Sequence, residues 1–531
     1  MTAADLVLRD ATVHTMDPAR PVAGAVAVRA GRIIAVGDNV DEHIGGRTEV
    51  VDGTGLTVTP GLVDSHQHPL MGIATRRGGS ALGLGTLDEL LDLVRRTAAT
   101  TPDDGWVIID GVEYDAIVTL PDTPRALIDR AGGGRPAFLM LADCHNALMS
   151  TEALRQAGIT GPIGFGDRSE IVVDEHGDPT GLLHEMSAVL LGNAAVPPQT
   201  LAETARGAAD LFAAQAACGI TGIHVPDLWP GTEAVLDELD QSGQLPLRVL
   251  LAPWALPDDV DGTIETVRAL RRRPRGWTVG AVKFFLDGTI DGGSAWLHHP
   301  DCAGESIRPF WTDVDRFERA ARAVVDLGLP CFTHAIGDRA VSHVLDVYQR
   351  VGGGRHRVEH AEVLADADVG RFHALDVVAS MQPTHLDWIL PDHSDTWSAR
   401  VGPDRRAQAL RCADIVAAGG RVALGSDWPI ADYDPRVVMA GARLRRPAGA
   451  RDRAPVGPEQ ALSPRQALAG YTTWAAYGAG EELIAGRIKE GARADLTVFG
   501  GDPLTLAADE LVDLPVAMTI VGGRIAHRAE A

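Results

Sequence analysis

The sequence predicts an α/β chain: a (β/α)8, TIM-like barrel with a small β-sandwich domain formed by both termini and a large insertion after barrel strand 1. Three observations predict it. The middle of the chain alternates short apolar runs with helical stretches, the pattern of parallel strands and crossover helices. Eight such runs end near His66, His224, Leu251, Phe285, His334, Ala361, Gln382 and Asp427, and eight units close a barrel. Both ends of the chain read instead as short strands divided by turns.

Near the N-terminus, Leu6–Arg9 and residues 25–28 are strands, and residues 30–37 form a hairpin arm. The C-terminus echoes this. Residues 494–499 are a strand, and Gly522-Gly523-Arg524-Ile525 resembles the segment that begins at Gly31. The sandwich is therefore placed at 1–58 and 481–531, around a barrel at 59–480. Spacing is ordinary for a barrel between its last six strands and far too long between its first two. Residues from about 75 to 205 must hold a folded insertion, because compact domains do not carry structureless loops of that size. It contains strand-like pieces at Ala137–Leu141 and 171–173. It leaves the barrel straight after His68, so it is expected to cover the barrel mouth and set substrate choice. Gly132-Gly133-Gly134 and Gly352-Gly353-Gly354 read as loops, and no Gly-Lys-Ser/Thr follows to make either a phosphate site.

A chain of 531 residues suggests roughly two to four domains, although a barrel absorbs more residues than most. Hydrophobic residues at 45% and charged residues at 23% give a globular protein with a large core. A net charge of −24 repels phosphate backbones and anionic lipid, which argues against nucleic-acid and membrane partners. It leaves a homo-oligomer open. The five cysteines are scattered and odd in number, without Cys-x-x-Cys, so neither a disulfide framework nor a thiolate zinc site is expected. The N-terminus shows no secretory signal and no apolar run approaches a membrane span. A cytoplasmic protein is the expectation.

The chemistry begins at Asp64-Ser65-His66-Gln67-His68, which follows the apolar run 56–63. On a strand, alternate side chains share a face, so His66 and His68 point the same way. Two imidazoles at the end of a buried strand suit a divalent metal. Lys283, His334, His360 and Asp427 each end, or closely follow, another apolar run. Barrel enzymes gather their reactive groups at those C-terminal strand ends. Singly, His334 and His360 read equally as core histidines, Asp427 as a turn residue, and Lys283 as a snorkelling lysine. A lysine inside the run Ala281-Val282-Lys283-Phe284-Phe285 must be neutral, paired or modified.

With these residues in view, the chain resembles the amidohydrolase superfamily in its third sequence family, which includes N-substituted formamide deformylase. The resemblance spans nearly the whole chain. It rests on Pro60-Gly61-Leu62-Val63-Asp64-Ser65-His66-Gln67-His68, Val282-Lys283-Phe284-Phe285-Leu286-Asp287-Gly288, His334-Ala335-Ile336-Gly337-Asp338, Val358-Glu359-His360, Gly425-Ser426-Asp427-Trp428-Pro429 and the segment Gly486 to Leu496. It implies a centre of two divalent ions, zinc foremost, since the ligands are imidazole and carboxylate without thiolate. His66, His68 and Asp427 would hold one ion, and His334 and His360 the other. Lys283, carboxylated by carbon dioxide, would bridge both as a carbamate. The expected substrate is a small-molecule amide or N-acyl compound, its C–N bond cleaved by a metal-activated hydroxide. Asp427 would accept the water's proton and deliver it to the leaving nitrogen.

Two other functions remain open on the same residues: deamination or cyclic-amide opening, and small-molecule binding without catalysis. Further pocket candidates are His145 in the insertion, Asp287 after the lysine strand, Trp296 and His385. Trp388 and Trp428 can supply an apolar wall. Asp338-Arg339 reads as a helix cap and His298-His299 as solvated loop residues.

Overall fold

The computed structural model of the protein describes residues 3–117, 119–271 and 276–530. The two termini build neighbouring sheets. A four-stranded sheet has the order Arg32–Gly37, Ala25–Arg29, Leu6–Arg9, Glu49–Asp52. A six-stranded sheet has the order Arg524–Arg528, Val516–Val521, Leu496–Phe499, Thr57–Pro60, Thr12–His14, Val22–Ala23. Leu496–Phe499 lies antiparallel on Thr57–Pro60, with Val498 opposite Val58. One apolar cluster takes Leu6, Val26 and Ile33 from the first sheet and Val58, Leu496 and Ile520 from the second.

The sequence echo between the ends has a physical basis. Ala30 (φ 47°) and Gly31 (φ 73°) form one hairpin turn, and Gly522 (φ 57°) and Gly523 (φ 74°) form the other. Positive φ at both central residues is the turn that matches strand twist. The two turns meet across Ala494, whose N–H donates to Gly31 O and whose carbonyl accepts from Gly523 N–H.

The apolar run 56–63 is not one strand. It divides at Gly61 between the terminal sheet (Thr57–Pro60) and a parallel sheet (Leu62–Asp64). A β-carbon on Gly61 would fall 2.3 Å from Thr221 Oγ1, so only glycine allows the chain to cross here. The first parallel sheet has the order Trp277–Val279, Arg248–Leu251, Ile220–Val225, Leu62–Asp64. The second has the order Val282–Phe285, Cys331–Ala335, Arg357–His360, Val378–Met381, Arg421–Leu424. The expected fourth run, Ala281–Phe285, is the strand Val282–Phe285, and a further strand, Trp277–Val279, precedes it across Gly280-Ala281. Gly280 N–H bonds Leu251 O, while Lys283 N–H bonds Pro253 O. At the opposite edges, Ser65 N–H bonds Leu424 O and Asp427 N–H bonds His66 O.

Between the first two parallel strands lies a six-stranded mixed sheet, with the order Glu170–Val173, Pro179–His184, Asn146–Met149, Ala137–Leu141, Val107–Val112, Gly79–Ser80. Val94, Ile109, Leu139 and Leu148 give it its own core. Strand Val107–Val112 is masked in the sequence by Asp110-Gly111, and Pro179–His184 by Pro179 and Gly181. Helix Leu201–Ala217 returns the chain to the parallel strands, its start fixed by a capping box between Thr200 and Glu203. All five cysteines are free. No helix among the described residues is long and apolar enough to cross a membrane.

If the two termini share one core, Leu496→Ala should cost about 2–5 kcal/mol, the range for a buried leucine. Thermal unfolding of purified protein would read this as a lower midpoint. An unchanged midpoint would place Leu496 outside any cooperative core.

Candidate metal centre

The site is assembled where the first and last parallel strands meet. The Asp64 carboxylate accepts the N–H groups of His66 and Ser426, each at 3.1 Å, and the Ser426 hydroxyl at 2.6 Å. His68 N–H bonds Trp428 O at 2.6 Å. These bonds lock the segment after Leu62–Asp64 to the segment after Arg421–Leu424. A β-carbon on Gly425 would meet His66 N at 2.7 Å, so the approach requires glycine. His66 and His68 lie beyond the strand, not on it. Strand alternation therefore does not align them; the backbone bonds to the 424–428 segment do.

Asp427 is the hub. Its Oδ1 lies 3.4 Å from both His66 Nε2 and His68 Nε2. Its Oδ2 lies 3.7 Å from both His360 Nδ1 and His385 Nε2. The His360 ring sits 4.8 Å from that of His66 and 4.5 Å from that of His334. A regular strand would turn His360 to the face opposite Glu359. Its left-handed backbone, φ 73°, ends the strand and brings the ring into the site; Asp427, at φ 59°, is turned likewise. Such conformations cost about 1–3 kcal/mol each and persist where the surroundings fix them.

Carboxylates orient the rings from behind. His66 Nδ1–H donates to Glu359 at 2.6 Å and His68 Nδ1–H to Asp227 at 2.6 Å. That leaves the His66 Nε2 lone pair facing Asp427, the arrangement in which a carboxylate fixes the tautomer of a metal ligand; His68 would present the same lone pair once its Nε2 proton is displaced. Burial, with Lys283 nearby, lowers His66 to about 4, so it is neutral near pH 7. Burial alone would also lower His68, but Asp227 and Asp427 raise it to about 9. Burial lowers Lys283 to about 8 against the pull of Glu359 and Asp427. Burial opposes the charge on Asp427, yet His66, His68 and His360 hold it well below the usual carboxylate range.

A divalent cation fits this donor set. His66 Nε2 and Asp427 Oδ1 are both buried and lack a hydrogen-bond partner. Unpaired buried polar atoms are costly, and a cation between them would satisfy both. Among the described residues, donor atoms of His66, His360 and Asp427 lie within 4.8 Å of one another. This grouping pairs His360 with His66 and Asp427, where the sequence reading placed His360 with His334. His334 Nε2 is 3.1 Å from Gly288 O, and Lys283 is buried in the same cavity.

A cavity of about 670 Å³ opens over these groups. His145 and His385 line it; Asp287 and Trp296 do not. The Asp287 carboxylate is fully buried and accepts N–H groups from Trp296, Ile336 and Gly337, so it ties loops together. Trp296 packs on His343 and Arg339. Trp388 reaches the cavity, whereas Trp428 packs against Tyr433 and Arg76. Asp338 begins its helix without capping it, and accepts His298 N–H instead. The sequence reading missed Asp227, Glu359 and Glu185. Glu185 grips His145 Nδ1 at 2.9 Å, as Asp227 and Glu359 grip theirs. A carboxylate beside or shortly after a strand-end histidine, as in Glu359-His360 and His224-x-x-Asp227, was the available signal.

A buried cluster of imidazoles around one carboxylate, at the ends of parallel strands, could hold a divalent ion. Comparison with known proteins agrees. Residues 49–527 match the family described as "Amidohydrolase family", and this chain belongs to it. N-substituted formamide deformylase of Arthrobacter pascens is 28% identical, the match covering 98% of this chain and 97% of that protein. Protein LONG AFTER FAR-RED 3 of Arabidopsis thaliana is 29% identical over 98% of this chain and 91% of its own length. The crystal structure of a metal-dependent hydrolase from Pyrococcus horikoshii superposes with a TM-score of 0.74 at 22% identity, covering 95% of this chain and 99% of that one.

In the metal-free protein His68 titrates near 9 against 6.5 for a free imidazole. Its contribution to stability is complete below about pH 6.5 and is lost as pH rises through 9. Asp227→Asn removes the acceptor that raises it. In chelator-treated protein, the urea midpoint of this variant should fall below wild type at about pH 6 and approach it by about pH 10. A gap that does not vary with pH would show that His68 carries no charge in the fold.

Proposed function

We propose that the protein is a metal-dependent hydrolase of a non-peptide C–N bond in a linear amide or N-acyl compound. The observation that carries this is Asp427: one buried carboxylate, with an unpartnered oxygen, facing His66, His68, His360 and His385. The family and the deformylase named above support the bond type. The two parallel sheets, bonded to each other at both edges, are read as one closed (β/α)8 barrel, with the paired terminal sheets as a β-sandwich at 1–58 and 481–531.

His66, His68, His334, His360 and Asp427 would hold divalent ions, zinc foremost. Lys283 has the depressed amine that adding carbon dioxide requires, and as a carbamate it would bridge them. A divalent ion there lowers the pKa of water and polarises a carbonyl oxygen. Asp427 accepts the proton of the attacking water and returns it to the leaving nitrogen, because its oxygens face His66, His68 and His360 at the cavity. Glu359 and Asp227 hold the imidazoles in register. His145, with its ring 4.9 Å from that of His334, contacts the substrate from the insertion side.

A panel of N-formyl, N-acyl and cyclic amides, scored for released amine, acid and ammonia, tests the assignment. Amine and acid are expected; ammonia with the carbon chain intact would make the protein a deaminase. Elemental analysis should find about two ions per chain if Lys283 bridges and about one if it does not. Full activity without metal would sink the reading. Asp427→Asn preserves size but cannot accept a proton, so turnover should fall about a hundred- to ten-thousand-fold. A variant that keeps more than about a tenth of the rate, with metal content unchanged, would remove Asp427 as the proton shuttle.

A further inference from the structure

The cavity above the ligand cluster continues outward. A second chamber of about 850 Å³ lies between the insertion and the segment 383–397, and the two share Asp143, Asp291, Glu362, His385 and Trp388. Their common wall is acidic. Among the described lining residues, Lys283 at the inner end is the only Lys or Arg of either chamber. Two of the three shared carboxylates are occupied. Asp143 accepts the Tyr114 hydroxyl at 2.7 Å, Asn146 Nδ2–H at 3.0 Å and the Thr289 hydroxyl at 3.1 Å. Glu362 accepts Trp397 Nε1–H at 2.8 Å and lies 3.5 Å from His385 Nδ1.

Asp291 differs. Among the described residues, no other residue donates a hydrogen bond to its carboxylate and none forms an ion pair with it. It faces both chambers, and burial, reinforced by Glu362 and Asp143, pushes it up to about 8. In the same shared wall the Trp388 ring stacks on His385 at 4.8 Å, and Trp397 forms another part of the outer wall. A carboxyl group held neutral by burial and by Glu362 and Asp143, with no counter-ion and with indole rings in the same wall, would ionise when a cation enters beside it.

We propose that the outer chamber is a cation subsite, and that the substrate is an amide or N-acyl compound whose end remote from the scissile bond carries an ammonium group. This rests on the hydrolase reading for the inner chamber. The substrate's carbonyl lies toward His360 and Asp427, and its ammonium lies between Asp291 and Trp388. The acidic surface, with a net charge of −24, would draw such a molecule in.

Calorimetry on metal-loaded protein with choline and 3,3-dimethylbutan-1-ol tests the subsite directly. The two are nearly the same shape, differ in charge, and cannot ligate metal through an amine. Choline should bind about tenfold tighter, within the range of a desolvated cation–π contact. That margin should shrink at least about threefold in Asp291→Asn and in Trp388→Leu. Trp388 is 45% exposed, so its variant serves even if the Asp291 substitution disturbs the fold. Equal binding of the two compounds, or a margin that survives in every folded variant, would overturn the subsite. In parallel, N-acetyl-1,5-diaminopentane and N-hexylacetamide differ by an ammonium in place of a methyl. Faster turnover of the diamine supports the substrate class, and equal turnover overturns it. If neither these nor any other amide reacts, the hydrolase reading fails, while choline binding still decides the subsite.

Discussion

The centre of this molecule depends on one buried guanidinium. Arg357 is fully enclosed, and its side chain reaches four of the parallel strands or the residues that follow them. It donates to both oxygens of Glu359 at 2.8 and 2.9 Å, to Ser65 O at 2.5 Å and to the Ser380 hydroxyl at 2.9 Å, and it lies 3.0 Å from His224 Nδ1. Arginine cannot shed its proton to escape burial, so its partners must supply charge and acceptors. Glu359 does so, and Arg357 and His66 hold it ionised against the cost of burial. An ionised Glu359 can only accept, so His66 must carry its proton on Nδ1. The lone pair on His66 Nε2 is then committed to the site. Removing one partner of such a pair costs about 3–5 kcal/mol, whereas apolar replacement of the whole set is often neutral. Stability alone does not call for this network. Its effect is to fix one imidazole's tautomer and position.

That dependence separates what was legible in the sequence from what was not. Parallel strands announce themselves as apolar runs because both of their faces are buried, and His224, Leu251, Phe285 and His334 fall at or within a residue of observed strand ends. Glycines carried the errors. Gly61 divides the apolar run 56–63 between two sheets, and Gly280 parts Trp277–Val279 from the lysine strand, because the side chains of Thr221 and Leu250 leave no room for a β-carbon there. Apolarity continues through both positions, so a reading by hydropathy cannot see them. In the insertion the effect reverses: Gly111 and Gly181, both at positive φ, interrupt strands that remain strands.

The site was legible to the extent that its donors follow strand ends. His66, His68, His360 and Asp427 gather around one point, although the strand geometry that first suggested the histidine pair is not what aligns them. The carboxylates behind the rings escaped notice, because a buried Glu or Asp reads as a surface residue until its partner is known. Asp287 and Trp296 stand outside the cavity lining for a related reason. Proximity in sequence to Lys283 said nothing of direction: the Asp287 carboxylate collects three backbone N–H groups beneath the cavity lining, with Oδ1 3.8 Å from His334 Nε2.

The insertion repeats the arrangement of the parallel strands. Glu185 holds His145 through Nδ1, as Glu359 holds His66 and Asp227 holds His68, and the His145 ring comes within 4.9 Å of His334. A mere cover would need apolar contact only. Here Asp143, one residue from the strained Cys144 (φ 58°), also joins Tyr114 and Asn146 of the insertion to Thr289 of the loop after Val282–Phe285. Polar contacts of this kind weaken steeply with small displacements, so they fix the separation of the two layers more closely than apolar packing would. The chamber's dimensions are therefore set jointly by the insertion and the parallel strands. The two layers are joined beside the cavity through Asp143, and neither defines it alone.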